Sequence, residues 1–202
     1  MPSLRNTKRH IQSVESINKL TKAMAIVSTA RSHRLRALVD NCRWFAVMSW
    51  QVLVPTVMSA ESDVREMPLF RGYGSQSRLG LVLITSDRGM VGPYNQTIVQ
   101  FATDYLQQRR QQRPEFEAHL ISIGHMGRDR LVETHAMPYV RLHADIPSPS
   151  FRDGIAAFTP IARLLLEGFA KGTFDHIAIA YTQPRNGALM QTRIRQLLPL
   201  CD

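Results

Sequence analysis

The sequence predicts an α/β fold: a long coiled-coil-type helix at the N-terminus, followed by a doubly wound α/β domain. Three observations carry this. Residues 3–54 contain neither proline nor glycine, the two residues that interrupt helices. Within that run Ile11, Val14, Ile17, Leu20, Met24 and Val27, then Leu35 and Leu38, form one stripe at helical spacing. From residue 79 onward, short apolar runs alternate with amphipathic segments, the signature of strand–helix–strand units around a largely parallel sheet.

The expected layout is a long helix over residues 1–60, a linker over 61–77 and an α/β domain over 78–202. The opening helix spans about 75 Å at 1.5 Å per residue, and Pro55 is the first residue expected to disturb it. Pro68, Gly72 and Gly74 mark the charged stretch after it as a linker. Residues 79–85 read as a buried strand, 86–95 as a loop and 94–110 as a helix carrying Ile98, Phe101, Ala102, Tyr105 and Leu106. A second strand is expected over 116–123, a short helix over 127–134, and a third strand or extended link over 139–142. A helix over 151–170 follows, with Pro160 as its kink point, then a buried strand over 176–181. A last strand over 192–198 is reached through a turn at Arg185, Asn186 and Gly187.

Charge is unevenly placed. The chain has a net charge of +9, and residues 1–45 hold nine basic side chains against Glu15 and Asp40, so the basic character belongs to the helix. Such a helix suits an acidic protein surface, nucleic acid or anionic lipid. Basic residues and apolar stripe share the same turns, which favours a protein partner over the separate basic block and zipper of a DNA-binding helix. Residues 44–60 carry no charge but fall short of a membrane span and include Pro55. They are expected to end the helix in a buried setting. Cys42 and Cys201 have no metal or redox spacing and read as free thiols of a reducing compartment. The N-terminus lacks the apolar core of a secretory signal, and because the stripe runs past Leu38 it is not expected to be a removed leader.

No phosphate-loop, dinucleotide or zinc-protease pattern is present, and no serine-nucleophile elbow. The loop at Ser86-Asp-Arg-Gly-Met-Val-Gly-Pro-Tyr-Asn95 sits where α/β proteins bind ligands. Pro93 removes a backbone N–H that a phosphate nest needs, so a structural turn is expected, with Asp87 and Arg88 paired across it. No active site, cofactor or metal site is expected.

The chain resembles the gamma subunit of F-type ATP synthases. The residues that carry this are Leu4-Arg5, Ile11, Ser13-Val14, Lys19-Leu-Thr-Lys-Ala-Met24 and Val27-Ser28 in the helix. Ile84-Thr-Ser-Asp-Arg-Gly89, Gly92 and Tyr94-Asn95 are similar to the family's signature loop. Gly124, Gly127-Arg128, Pro149-Ser-Phe151 and Gln196-Leu-Leu-Pro199 follow in the family's order. The resemblance implies a central rotor shaft, non-catalytic in itself, whose N-terminal helix pairs with a C-terminal one inside the alpha/beta hexamer. It implies partners in the alpha, beta and epsilon subunits and the membrane c-subunit ring, with no nucleic acid. It also implies a peripheral place on the cytoplasmic face of a bacterial plasma membrane. Lys19, Lys22 and Met24 match the segment facing the beta subunits, while Arg9 and Arg31 are assigned a general electrostatic role. Asp87, Arg88, Gly89 and Gly92 are implied to be structural. The family's C-terminal helix has no counterpart before Asp202, so a fragment, a truncated product or a divergent paralogue is expected. Pro93 stands where the family has glycine, and Met90-Val91 where it often has leucine-cysteine, which departs from close backbone packing at the loop.

Overall fold

The computed structural model describes residues 4–59, 64, 66–134, 137–150, 154–184 and 190–200. The start of the expected helix at 151, the turn at Arg185, Asn186 and Gly187, and Cys201 lie outside these residues. The chain divides into two compact units, residues 1–56 and 57–202.

The first unit holds all but the last three residues of helix α1, Leu4–Ser59, which is 56 residues long, about 84 Å at the standard rise. Its hydroxyl residues do not break it because they bond back to the preceding turn: Ser16, Thr21 and Thr29 donate to the carbonyls of Gln12, Ile17 and Ala25 at 2.8–2.9 Å. The helix runs through Pro55, where a disturbance was expected, and ends at Ser59, close to the end of the 1–60 range expected. Proline costs one hydrogen bond, to the Gln51 carbonyl, and only one further turn follows it. No helix among the described residues is long and apolar enough to cross a membrane.

The second unit is organised around a sheet of order β3-β2-β1-β4-β5. Strand β1, Arg78–Ile84, is central and lies parallel to both β2, Glu117–Ile123, and β4, His176–Pro184. Strand β3, Val140–Ile146, extends the parallel ladder, and β5, Met190–Leu198, closes the other edge antiparallel to β4. Alternation along β1 splits the core into two layers. Leu79, Leu81 and Leu83 face Ile98, Val99, Ala102 and Leu106 of helix α3, Tyr94–Gln112. Val82 faces the opposite way, to Ile161, Leu165 and Phe169 of helix α5, Thr159–Ala170, and to Phe174. This is the doubly wound arrangement expected.

Several elements differ from expectation for local reasons. Within the stretch read as a linker, Pro68–Arg71 forms a one-turn helix, α2. Its Phe70 is buried, Leu69 packs on the second core layer, and Tyr73 donates to the Phe169 carbonyl at 2.9 Å. Pro160 does not kink a helix; it sits at the start of α5, after a 3₁₀ turn over Gly154–Phe158, where a missing N–H costs nothing. Helix α4, His125–Arg128, runs directly into a π-helical segment, Asp129–Thr134. Strand β3 is longer than the 139–142 expected and carries a bulge opposite Leu120/Ile121. The extra residue, His143, places its ring 5.9 Å from that of His119 and 5.1 Å from that of Phe174. Burial first, and then His143, holds His119 below the ordinary imidazole pKa.

Phe174 is held closely by two glycines. A Cβ at Gly168 of α5 would lie 2.4 Å from its ring, and one at Gly80 of β1 3.1 Å from it. Gly168→Ala is therefore expected to overpack the second layer and cost about 1–3 kcal/mol. The urea midpoint of the whole chain is the check, and an unchanged midpoint would mean that the ring can move aside freely.

Candidate functional site

Two features hold the residues singled out from sequence: the surface of α1, and the loop at the C-terminal edge of β1, β2 and β3. On α1, Arg9, Lys19, Lys22, Met24 and Arg31 are all exposed. They do not share a face. At roughly 100° per residue, Arg31 falls seven residues from Met24 and so on the same side, within the apolar stripe. Lys19 and Lys22 lie on the far side of the helix from Met24. The stripe is open to solvent, with Ile17, Leu20, Met24 and Val27 each about half exposed or more. Exposed apolar patches of this length are the kind that mark interaction sites in proteins generally.

The loop is built by hydrogen bonds that cross between strands. Buried Asn95, at the start of α3, accepts from the Ser86 backbone N–H at 3.1 Å and donates to the Ser86 hydroxyl at 2.7 Å. Ser86 in turn donates to the Arg88 carbonyl at 2.6 Å. Tyr94 donates to the Ile84 carbonyl, and burial raises its phenol pKa. Thr85, also buried, donates its hydroxyl to the Gly124 carbonyl at 2.8 Å and accepts the Gly127 N–H at 2.8 Å, tying β1 to the β2–α4 turn.

Asp87 does not pair with Arg88 as expected. Its carboxylate reaches across the sheet edge to the backbone N–H groups of Ser148, at 3.1 and 3.2 Å, and of His125, at 3.4 Å. Burial alone pushes its pKa up, but these hydrogen bonds outweigh it and hold the carboxyl below its ordinary value. Behind it, a single Asp145 oxygen accepts from Arg128 at 2.6 Å and lies 3.0 Å from His125 Nδ1. Gly89 and Gly92 sit at the exposed tip, with nothing within 4 Å of where a Cβ would stand. Gly92 and Met90 have φ of +60° and +62°. No backbone approaches the tip closely, so Pro93 is accommodated: it caps α3, its carbonyl accepting from Thr97 at 2.9 Å.

The edge is thus a tether across three strand ends, and its donors and acceptors are largely spent on the protein itself. Among the described residues no group of three or more His, Cys, Asp and Glu is placed to hold a metal. His125, Asp145 and Ser148 were not singled out from sequence, because nothing local marks a loop residue as the partner of another many positions away. A second tether at the opposite ends of the strands was also missed. Buried Asp175 accepts from Arg78 Nε at 3.1 Å, Arg78 Nη2 at 2.6 Å and the Arg78 backbone N–H at 3.0 Å. It forms one wall of a cleft of about 160 Å³ with Arg71, Tyr73, Ser75, His176 and Gln196.

The class of protein is thus one long helix with an exposed apolar stripe followed in the chain by a doubly wound domain whose polar edge is a structural tether. Comparison with known proteins gives the family. The family model described as ATP synthase matches residues 3–202. The ATP synthase gamma chain of Desulfosudis oleivorans is 30% identical over 200 residues, covering 99% of this chain and 65% of the relative. That of Paracoccus denitrificans is 30% identical over 199 residues, covering 98% and 67%. Among solved structures, a chain of the Tetrahymena thermophila mitochondrial ATP synthase central stalk and c-ring matches with a TM-score of 0.63 and 26% identity, covering 89% of this chain and 72% of that one. The chain belongs to the ATP synthase gamma-chain family, and it spans about two thirds of the length of the curated relatives it matches.

Proposed function

We propose that the chain is a central-stalk rotor subunit of a proton-translocating F-type ATP synthase, coupling proton flow to ATP synthesis on the alpha/beta hexamer by rotation. The observation that carries the reading is a long, exposed, basic helix joined to an α/β domain in a sequence that aligns with gamma chains over 98–99% of its length. Its partners are then the alpha and beta subunits around the helix, and the epsilon subunit and membrane c-subunit ring at the α/β domain. Its place is peripheral, on the cytoplasmic face of a bacterial plasma membrane. The nucleic-acid alternative draws no support from these relatives.

The charge pattern suits the role. A helix turning against acidic levers gains from long-range attraction that varies smoothly with angle, whereas a desolvated ion pair has to be broken at each step. Lys19 and Lys22, on the side away from the stripe, are the residues placed against the beta subunits, with Arg9 contributing to the field. Met24 and Arg31 lie on the stripe itself, where an apolar contact is made.

The test is co-assembly with alpha and beta subunits. The chain is expected to enter the complex, and failure to do so in excess would overturn the reading. Met24→Lys adds an unpaired charge to an apolar contact, on the order of 2 kcal/mol, and is expected to lower ATP-driven proton pumping several-fold. Unchanged pumping would remove Met24 from the interface.

A further inference from the structure

Helix α1 carries a second apolar seam on the side opposite the first. Continuing the first stripe from Leu35 and Leu38 by threes and fours leads to Cys42, Phe45, Ser49 and Val52. Trp44 stands two residues after Cys42, roughly 200° around the helix. From Trp44, steps of three, four and three lead to Val47, Gln51 and Val54, the a and d positions of a heptad, with Met48 and Trp50 flanking them at e and g. All of these lie within α1 and are exposed, Trp44 at 62% and Trp50 at 50%. No charged residue falls between Trp44 and Val54, so this part of the helix turns apolar surface outward on both sides. One partner helix in a two-stranded coiled coil covers only one of them.

The same register read toward the N-terminus says what the second occupant is. Ile26, Ala30 and Ala37 keep the a and d positions small or apolar, interrupted by His33 and Asp40. The flanking e and g positions over the same stretch are Val27, Thr29, Arg34, Arg36, Asn41 and Arg43, three of them arginine and none acidic. In coiled coils these flanks select the partner by charge. We infer that residues 26–54 form a second docking seam for an amphipathic α-helix of another polypeptide, apolar at its own a and d positions and acidic at the positions beside them. A second copy of this chain is disfavoured because arginine would face arginine. A lipid surface does not call for a seam with a 3.5-residue repeat.

The chain holds two tryptophans, Trp44 and Trp50, and both lie on this seam or its flank, so their emission reports its occupancy. The probe is a synthetic heptad peptide with Leu at a and d and Glu at e and g, added to the full chain. The expected result is a blue shift at low salt, with affinity about tenfold lower or worse for Val47→Lys combined with Val54→Lys. Leu35→Lys with Phe45→Lys, on the first seam, is expected to leave the shift in place. Arg36→Glu with Arg43→Glu is expected to transfer preference to the same peptide carrying Lys in place of Glu, a gain that misfolding does not produce. Three results would overturn the inference: equal binding of both peptides by the unaltered chain, a shift that follows the protein's own concentration, and a shift with phosphatidylglycerol vesicles but not with peptide.

Discussion

Gly124→Ala is expected to lower the stability of the α/β domain by about 3–5 kcal/mol, more than a methyl group added at the other described glycines. Two costs add. Gly124 has φ +88° and ψ 128°, a region that L residues enter only with strain of roughly 1–3 kcal/mol. A Cβ there would also stand 2.3 Å from the Thr85 carbonyl oxygen and 2.7 Å from its carbon. Those are backbone atoms at the end of the central strand and cannot rotate away. Moving them breaks the Thr85 hydroxyl bridge to the Gly124 carbonyl and the Gly127 N–H. Gly127→Ala is the comparator. Its Cβ would meet the Thr85 hydroxyl at 2.8 Å, a side-chain atom, and no positive φ adds strain, so roughly 1–2 kcal/mol is expected. Urea unfolding followed by far-UV circular dichroism separates the two. Equal losses would mean that the β1–β2 tether is not what makes Gly124 special.

How much of this could be read beforehand follows from how far each signal reaches along the chain. Helix α1 was legible because propensity and periodicity are local and no breaker falls within its first fifty residues; only the effect of Pro55 was overrated, since one proline in a last turn costs a single bond. The central strand β1 and its neighbour β4 announce themselves as apolar runs buried on both faces. Strand β3 did not, because it borders the sheet and its residues are mostly half-buried or exposed, with a bulge at His143 that breaks alternation. Residues 68–73 read as linker because Pro68 and Gly72 dominate the local pattern, while the docking of Leu69 and Tyr73 depends on Phe169 and its neighbours far along the chain. The loop at 86–95 was legible as a motif and as a structural turn, but not as a three-strand tether. Asp87 looks like a partner for Arg88 in sequence; it finds Ser148 and His125 instead, because parallel crossovers bring the ends of β1, β2 and β3 to one edge. The second seam on α1 was present in the sequence as an uncharged stretch, but continuous helix through Trp44 and Val54 is what turns that composition into a face.

Arg78→Met is expected to cost about 3 kcal/mol at pH 7, with most of that loss disappearing in acid. Arg78 opens β1 and Asp175 stands directly before β4, and the two residues clasp each other: the Asp175 N–H also donates to the Arg78 carbonyl at 2.8 Å. The Asp175 side chain is 1% exposed and that of Arg78 47%. Removing a partner from a buried pair costs about 3–5 kcal/mol, and solvent access to the arginine places this pair at the low end. Burial by itself raises the Asp175 pKa; the arginine's hydrogen bonds, side chain and backbone, outweigh that and hold it below the ordinary carboxylate range. In the unfolded chain the same carboxyl protonates near pH 4, so the folded protein binds this proton less readily. The pair's contribution is therefore complete above about pH 4 and falls away as pH drops through the lower folded value. In the methionine variant the backbone N–H of residue 78 still donates to Asp175, but the guanidinium and its two hydrogen bonds are gone. Less then opposes the burial cost, the carboxyl binds its proton more readily than in the unaltered fold, and the variant gains relative stability as pH falls. Urea midpoints of the two proteins should converge between pH 7 and pH 3. Parallel curves would assign the loss to packing of the arginine stem rather than to charge.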